Sequence, residues 1–112
     1  MEITTEKSDN VAIATLVGDH LDASNADEFK RDMAPLLEAN PRLILDLSDV
    51  RFLDSAGLGA LLSALRKLSA DGGDLKLIGV SQPVRSVFQI TRMHRIFDIF
   101  NTKEEALRAF ES

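Results

Sequence analysis

The chain has 112 residues, 45% hydrophobic and 28% charged, which suits one hydrophobic core and is too apolar for a disordered polypeptide. It has no cysteine, which excludes disulfide frameworks, thiolate metal sites and cysteine nucleophiles. A net charge of −5 repels phosphate backbones, and phenylalanine as the sole aromatic type offers little for base stacking, so no nucleic-acid partner is expected.

The opening residues, Met1 to Glu6, carry neither a basic n-region nor an apolar h-region, so no signal peptide is expected. No apolar run approaches the roughly 20 residues that span a bilayer. The expected setting is cytoplasmic, with no membrane partner. Residues 11–17, Val-Ala-Ile-Ala-Thr-Leu-Val, are β-branched and apolar and read as a strand. Residues 3–7 read as a weaker strand, and Ser8-Asp9-Asn10 has the turn chemistry to join the two as a hairpin. Asp22, Ser24 and Asn25 are candidate N-caps for a helix carrying Ala26, Phe29, Met33, Leu36 and Leu37 at helical spacing. Asn25 with Glu28 resembles a capping box, Pro35 should bend the helix near its end, and Asn40-Pro41 should stop it.

Residues 43–47 form a short apolar run, as expected of a strand covered on both faces. Leu58, Leu61, Leu62, Leu65 and Leu68 then mark an amphipathic helix ending at Asp71-Gly72-Gly73. Residues 75–80 read as the next strand. Ser81 should cap a third helix, with Pro83 in its first turn and Val84, Val87, Phe88 and Ile90 facing inward. Residues 96–100 read as a short strand, and Thr102-Lys103-Glu104-Glu105 as a capping box for a last helix in which Ala106, Leu107 and Phe110 pack. The alternation predicts a single α/β domain over residues 1–112. Its sheet is mostly parallel, of four to five strands, with an N-terminal antiparallel hairpin and about four flanking helices.

Residues 45–59 join a buried strand to the leucine-rich helix, and ligands and partners gather at the carboxyl ends of strands in open α/β sheets. Asp54-Ser55 falls where four backbone N–H groups lack intrahelical partners. Gly57 and Gly59 lie in the first turn, although glycine costs a helix interior up to about 1 kcal/mol relative to alanine. Two readings stand at this point. Ser55 is a simple N-cap beside glycines that permit tight packing, or something approaches the backbone closely here. Asp22 reads by residue type as a cap. Leu58 and Leu61 read as core or as partly exposed contacts, and Leu62 and Leu65 as core.

The run from Asp46 through Asp54-Ser55-Ala56-Gly57-Leu58-Gly59 to Leu62 resembles the signature of STAS domains, specifically the bacterial anti-sigma factor antagonists. The likeness extends to the opening hairpin, to Gly18-Asp19-His20-Leu21-Asp22 and to the closing residues 96–100. It implies a non-enzymatic switch in which Ser55 is phosphorylated by a partner that is both anti-sigma factor and serine kinase, of the histidine-kinase-like ATPase type. ATP would be bound by that partner, and this chain itself would need no cofactor. A PP2C-type phosphatase would restore the serine. Unphosphorylated, the chain would bind the kinase and release its client; phosphorylated, it would not. The implied partner-binding residues are Asp22, Ser24, Asn25, Asp54, Ala56, Gly57, Leu58, Gly59 and Leu61. For Asp22, which matches a recurrent acidic position of the family, the resemblance implies either partner contact or being phosphorylated itself. The sequence departs from the family at Thr91-Arg92-Met93-His94-Arg95, which lacks the glycine often found in that turn.

Other classes fare worse. No histidine stands in a base context for Ser55 and no Gly-x-Ser-x-Gly is present, so no hydrolase is expected. A receiver domain would need an acidic cluster that Gly18-Asp19-His20-Leu21-Asp22 does not clearly supply. His20 and His94 lack ligand spacing, so no metal site is expected. Arg85, Arg92, His94 and Arg95 form a basic cluster that reads as a solvated face. The serious alternative lies within the same fold: a soluble STAS subunit of a lipid-transport ABC system.

Overall fold

The computed structural model describes residues 1–111. The chain runs through β1 (Glu2–Ser8), β2 (Val11–Val17), β3 (His20–Leu21), α1 (Ala26–Ala39), β4 (Arg42–Asp46), β5 (Phe52–Leu53) and α2 (Ser55–Ala70). It continues through β6 (Asp74–Ile78), α3 (Gln82–Ile90), a 3-10 turn (Met93–Arg95), β7 (Asp98–Phe100) and α4 (Lys103–Glu111). The main sheet has the order β1-β2-β4-β6-β7, antiparallel between β1 and β2 and parallel elsewhere. The expected α/β architecture with its opening hairpin is therefore present. At the hairpin turn Asp9 adopts a left-handed φ of 56°, which aspartate tolerates better than most residues.

Strand alternation sorts the core into two layers. Ala12, Ala14, Leu16, Leu43, Leu45, Leu75 and Leu77 face α1, α2 and α3, meeting Phe29, Met33, Leu61, Leu68 and Phe88. On the opposite sheet face Val11, Ile13, Ile44 and Ile78 pack with Ala106 of α4, with Phe100, Leu107 and Phe110 at the margin. Lys76 is buried on that face. Its Nζ donates to Asp74 (2.9 Å) and Asp98 (3.1 Å) and lies 4.7 Å from the Phe110 ring centroid. A lysine can occupy a sheet interior only because its charge is doubly paired and its stem is sheathed by apolar surface.

Several local expectations change. Asn25 precedes α1 without capping it by its side chain: Oδ1 accepts from Asp22 N–H (2.9 Å) and Nδ2 donates to His20 O (3.0 Å). The loop before the helix thus takes the groups that a capping box would use. α1 stops after Ala39 as expected, with Pro35 inside it, and Asn40 closes it on Leu36 O through both its backbone N–H and Nδ2. Ser81 spends its hydroxyl on Val50 O (2.8 Å) rather than on α3. Ile90, expected inside, is 83% exposed because it stands about 200° around α3 from Phe88, off the stripe that Val84 and Phe88 bury. The last strand begins at Asp98; residues 93–97 form the 3-10 turn and its exit instead. Thr102 does cap α4, its Oγ accepting from Glu105 N–H (3.1 Å).

Candidate functional site

Two short strands build the site. β3 and β5 pair in parallel away from the main sheet, with Leu21 opposite Leu53 and His20 opposite Phe52. Both leucines are buried, so the residues that follow them, Asp22 and Asp54, emerge side by side. Asp22 opens the loop into α1 and Asp54 is the N-cap of α2.

Asp54 clasps the two segments. One carboxylate oxygen accepts from Gly57 N–H (2.9 Å) and satisfies a free donor of α2, while the other accepts from Ala23 N–H (3.1 Å) across the gap. Gly57 is buried under β3, where a Cβ would lie 2.1 Å from Leu21 O and 2.8 Å from Leu53 Cδ1. The close approach inferred at the glycines is therefore made by the chain itself at Gly57. At Gly59 the space within 4 Å is open, and the residue is exposed.

Ser55 is the first residue of α2 and is exposed. Because Asp54 caps the helix, the simple-cap reading of Ser55 fails. The Ser55 hydroxyl has no hydrogen-bond partner among the described residues. Ser24, the other exposed serine here, is occupied: its Oγ donates to Asp22 Oδ1 at 2.5 Å, and its N–H donates to the same oxygen at 2.9 Å. Those bonds, chiefly the one from the hydroxyl, hold the Asp22 carboxyl below its ordinary pKa. His20 Nδ1 lies 2.8 Å from Asp19 Oδ1. That hydrogen bond, aided by the charge of Asp22 and opposed by desolvation, raises the His20 pKa.

The implied binding residues divide by burial. Asp22, Asn25, Asp54 and Ala56 are half-buried, and Ser24, Ser55 and Gly59 are exposed, all around the start of α2. Leu58 and Leu61 are core residues, 8% and 0% exposed, which overturns their reading as surface contacts: the helical spacing points both at the sheet. Gly57 is likewise covered and acts through its lack of a side chain. Leu65 is core as expected, whereas Leu62 is only half-buried at the rim. Phe52, 56% exposed beside His20, was not singled out in the sequence; an apolar residue in a two-residue strand gives no periodicity to read.

Residues 2–106 match the STAS domain family. The chain belongs to that family. Over 113 aligned residues the STAS chain is 32% identical to BtrV of Bordetella bronchiseptica, named as an anti-sigma factor antagonist, covering 100% of this chain and 97% of that protein. It is 28% identical to the anti-sigma-B factor antagonist of Bacillus subtilis, covering 88% and 90% of the two chains. Among solved structures, that of a Thermotoga maritima protein named as an anti-sigma factor antagonist superposes with a TM-score of 0.89, at 28% identity over 98% of this STAS chain and 95% of the other. The glycine missing from the turn after α3 also has a structural counterpart in this STAS domain. Arg92 occupies it with φ 62°, the left-handed conformation that glycine adopts without strain.

Proposed function

We propose that this STAS domain is an anti-sigma factor antagonist, a regulator rather than an enzyme, whose docking surface is switched by phosphorylation of Ser55. The observation that carries the reading is the division of labour at α2: Asp54 does the capping, and the Ser55 hydroxyl is left exposed and unpartnered. The relatives named as anti-sigma factor antagonists supply the partner class, and they favour this role over a lipid-transport subunit. The partner would be an anti-sigma factor with serine kinase activity, built as a histidine-kinase-like ATPase. It binds ATP and transfers the γ-phosphoryl group to Ser55 Oγ, releasing ADP while a base of the kinase takes the hydroxyl proton. A PP2C-type phosphatase would hydrolyse the ester and restore the surface.

The local physics suits such a switch. A phosphate adds about −1.5 to −2 charges, and a helix N-terminus tolerates negative charge, so the fold survives modification. Asp54 and Asp22 already make the surroundings acidic, and the added charge and bulk oppose a close-fitting partner that docks over Ser24, Ala56 and Gly59. Switching then acts on binding, with no unfolding required. Calorimetric titration of the anti-sigma factor with wild type, Ser55→Ala and Ser55→Asp tests this. Ser55→Ala should bind like wild type, and Ser55→Asp should lose at least about tenfold, or 1.4 kcal/mol, with an unchanged melting temperature. Equal affinity of Ser55→Asp and wild type would sink the mechanism.

A further inference from the structure

The exposed large apolar side chains among the described residues fall into two patches of opposite charge. Ile90 and Ile96, 83% and 50% exposed, flank the turn that carries Arg92, His94 and Arg95. From Val80 to Phe97 the sequence has three arginines, one histidine and no acidic residue, in a chain whose net charge is −5, and the exposed Asp98 that follows is paired with Lys76. Arg92 and Arg95 are exposed and have no ion-pair partner among the described residues. Arg85, grouped with them in sequence, sits half-buried in the first half of α3 and stands apart from this patch.

Val17 and Phe52, 39% and 56% exposed, form the second patch. Asp19 O accepts from both Arg51 N–H (2.8 Å) and Phe52 N–H (3.2 Å), which ties the end of β2 to β5. The segments joined there carry Asp19, Asp22, Asp49 and Asp54 against Arg51 and His20, the latter hydrogen-bonded to Asp19. The patches lie at opposite ends of the parallel strands. Val17 and Asp54 follow the carboxyl ends, whereas α3 runs back along the sheet so that the Ile90–Ile96 turn precedes the start of β7.

We propose that these two patches dock on each other between copies of the chain, head to tail: Ile90, Arg92, Arg95 and Ile96 of one copy against Val17, Asp19, Asp49 and Phe52 of the next. The occupant is a second copy because the same molecule presents the complement in both charge and apolar content. The contact is heterologous, so it extends into chains rather than closing as a two-fold dimer. Two apolar side chains on each side place it at the small, weak end of interfaces, where charge sets much of the attraction. It would cover the Ser55 end of every copy but the terminal one, and self-association would compete with any partner that docks there.

Sedimentation equilibrium of the full chain over a range of concentrations tests the proposal. At low salt the average mass should climb above the monomer with concentration. It should return to the monomer near 1 M salt, where the Debye length falls to about 3 Å. Asp19→Arg and Arg95→Asp should each be monomeric alone, and an equimolar mixture should regain the association. Arg92→Gly guards against misfolding as an explanation: it relaxes the left-handed backbone, so it should melt higher than wild type while associating less. A monomeric wild type at every concentration overturns the proposal. So does a dimer indifferent to salt, a mixture no heavier than its components, or an Arg92→Gly that associates as wild type does.

Discussion

The two glycines of the Ser55 turn should respond in opposite directions to the same substitution. In Gly57→Ala the new methyl would sit 2.1 Å from Leu21 O, 2.7 Å from Leu21 C and 2.8 Å from Leu53 Cδ1. Two of those atoms are backbone within the β3–β5 pair, so the clash cannot be relieved by a rotamer change; α2 must shift away. Overpacking of this kind costs about 1–3 kcal/mol, and alanine's better helix propensity returns at most about 1 kcal/mol. A net loss of about 1 kcal/mol follows, or a melting temperature lower by about 4 °C for a domain of this size. The shift also pulls Asp54 from Ala23 N–H, so the loop carrying Asp22 should loosen. Gly59→Ala meets nothing within 4 Å and should stabilise by about 0.5 kcal/mol, raising the melting temperature about 2 °C. Its methyl projects onto the exposed surface one turn from Ser55, so the same variant should weaken anti-sigma factor binding. Thermal unfolding followed by circular dichroism reads both. A Gly57→Ala that melts at or above wild type would refute the close approach of β3 to α2.

Asp54→Ala removes the N-cap of α2 and the tie to Ala23, and should cost about 1–2 kcal/mol by chemical denaturation. Asp54→Asn should be little better, because its amide nitrogen would face either Gly57 N–H or Ala23 N–H, donor against donor. The raised pKa of His20 makes its contribution to stability complete below the ordinary value of 6.5 and lost as pH rises through the folded value above it. His20→Gln should therefore flatten the pH dependence of the melting temperature above pH 6.5. The lowered pKa of Asp22 acts the other way. Its stabilisation is present above the ordinary value of 3.8 and fades as pH falls through the folded value, and Ser24→Ala should reduce that acid sensitivity.

The main framework was legible because its signals are long or periodic. β2, β4 and β6 announce themselves as apolar runs, and the leucines of α2 repeat over ten residues. The site itself was legible only in part. Asp54, Ser55 and the glycines stood out by residue type, but which of them caps, packs or stays free depends on β3 and β5. Those are two-residue strands whose pairing joins Leu21 to Leu53 across 32 positions, and no local pattern encodes that. Leu58 and Leu61 followed the spacing that placed them inside, and the resemblance alone put them on the surface. Asn25 and Ser81 looked like caps by type, yet nearby backbone groups outbid the helix ends for their side chains. Ile90 is apolar by type but falls off the helical stripe of Val84 and Phe88, so its residue type misled where its phase did not.

The central claim is that the uncapped, unpartnered hydroxyl of Ser55 is where this STAS domain receives its phosphate. Incubating the chain with its anti-sigma factor kinase and ATP, then mapping the modified peptide by mass spectrometry, addresses it most directly. One phosphate on Ser55, absent in Ser55→Ala, is the predicted result. A phosphate on Ser24 or elsewhere while Ser55 stays unmodified would contradict it.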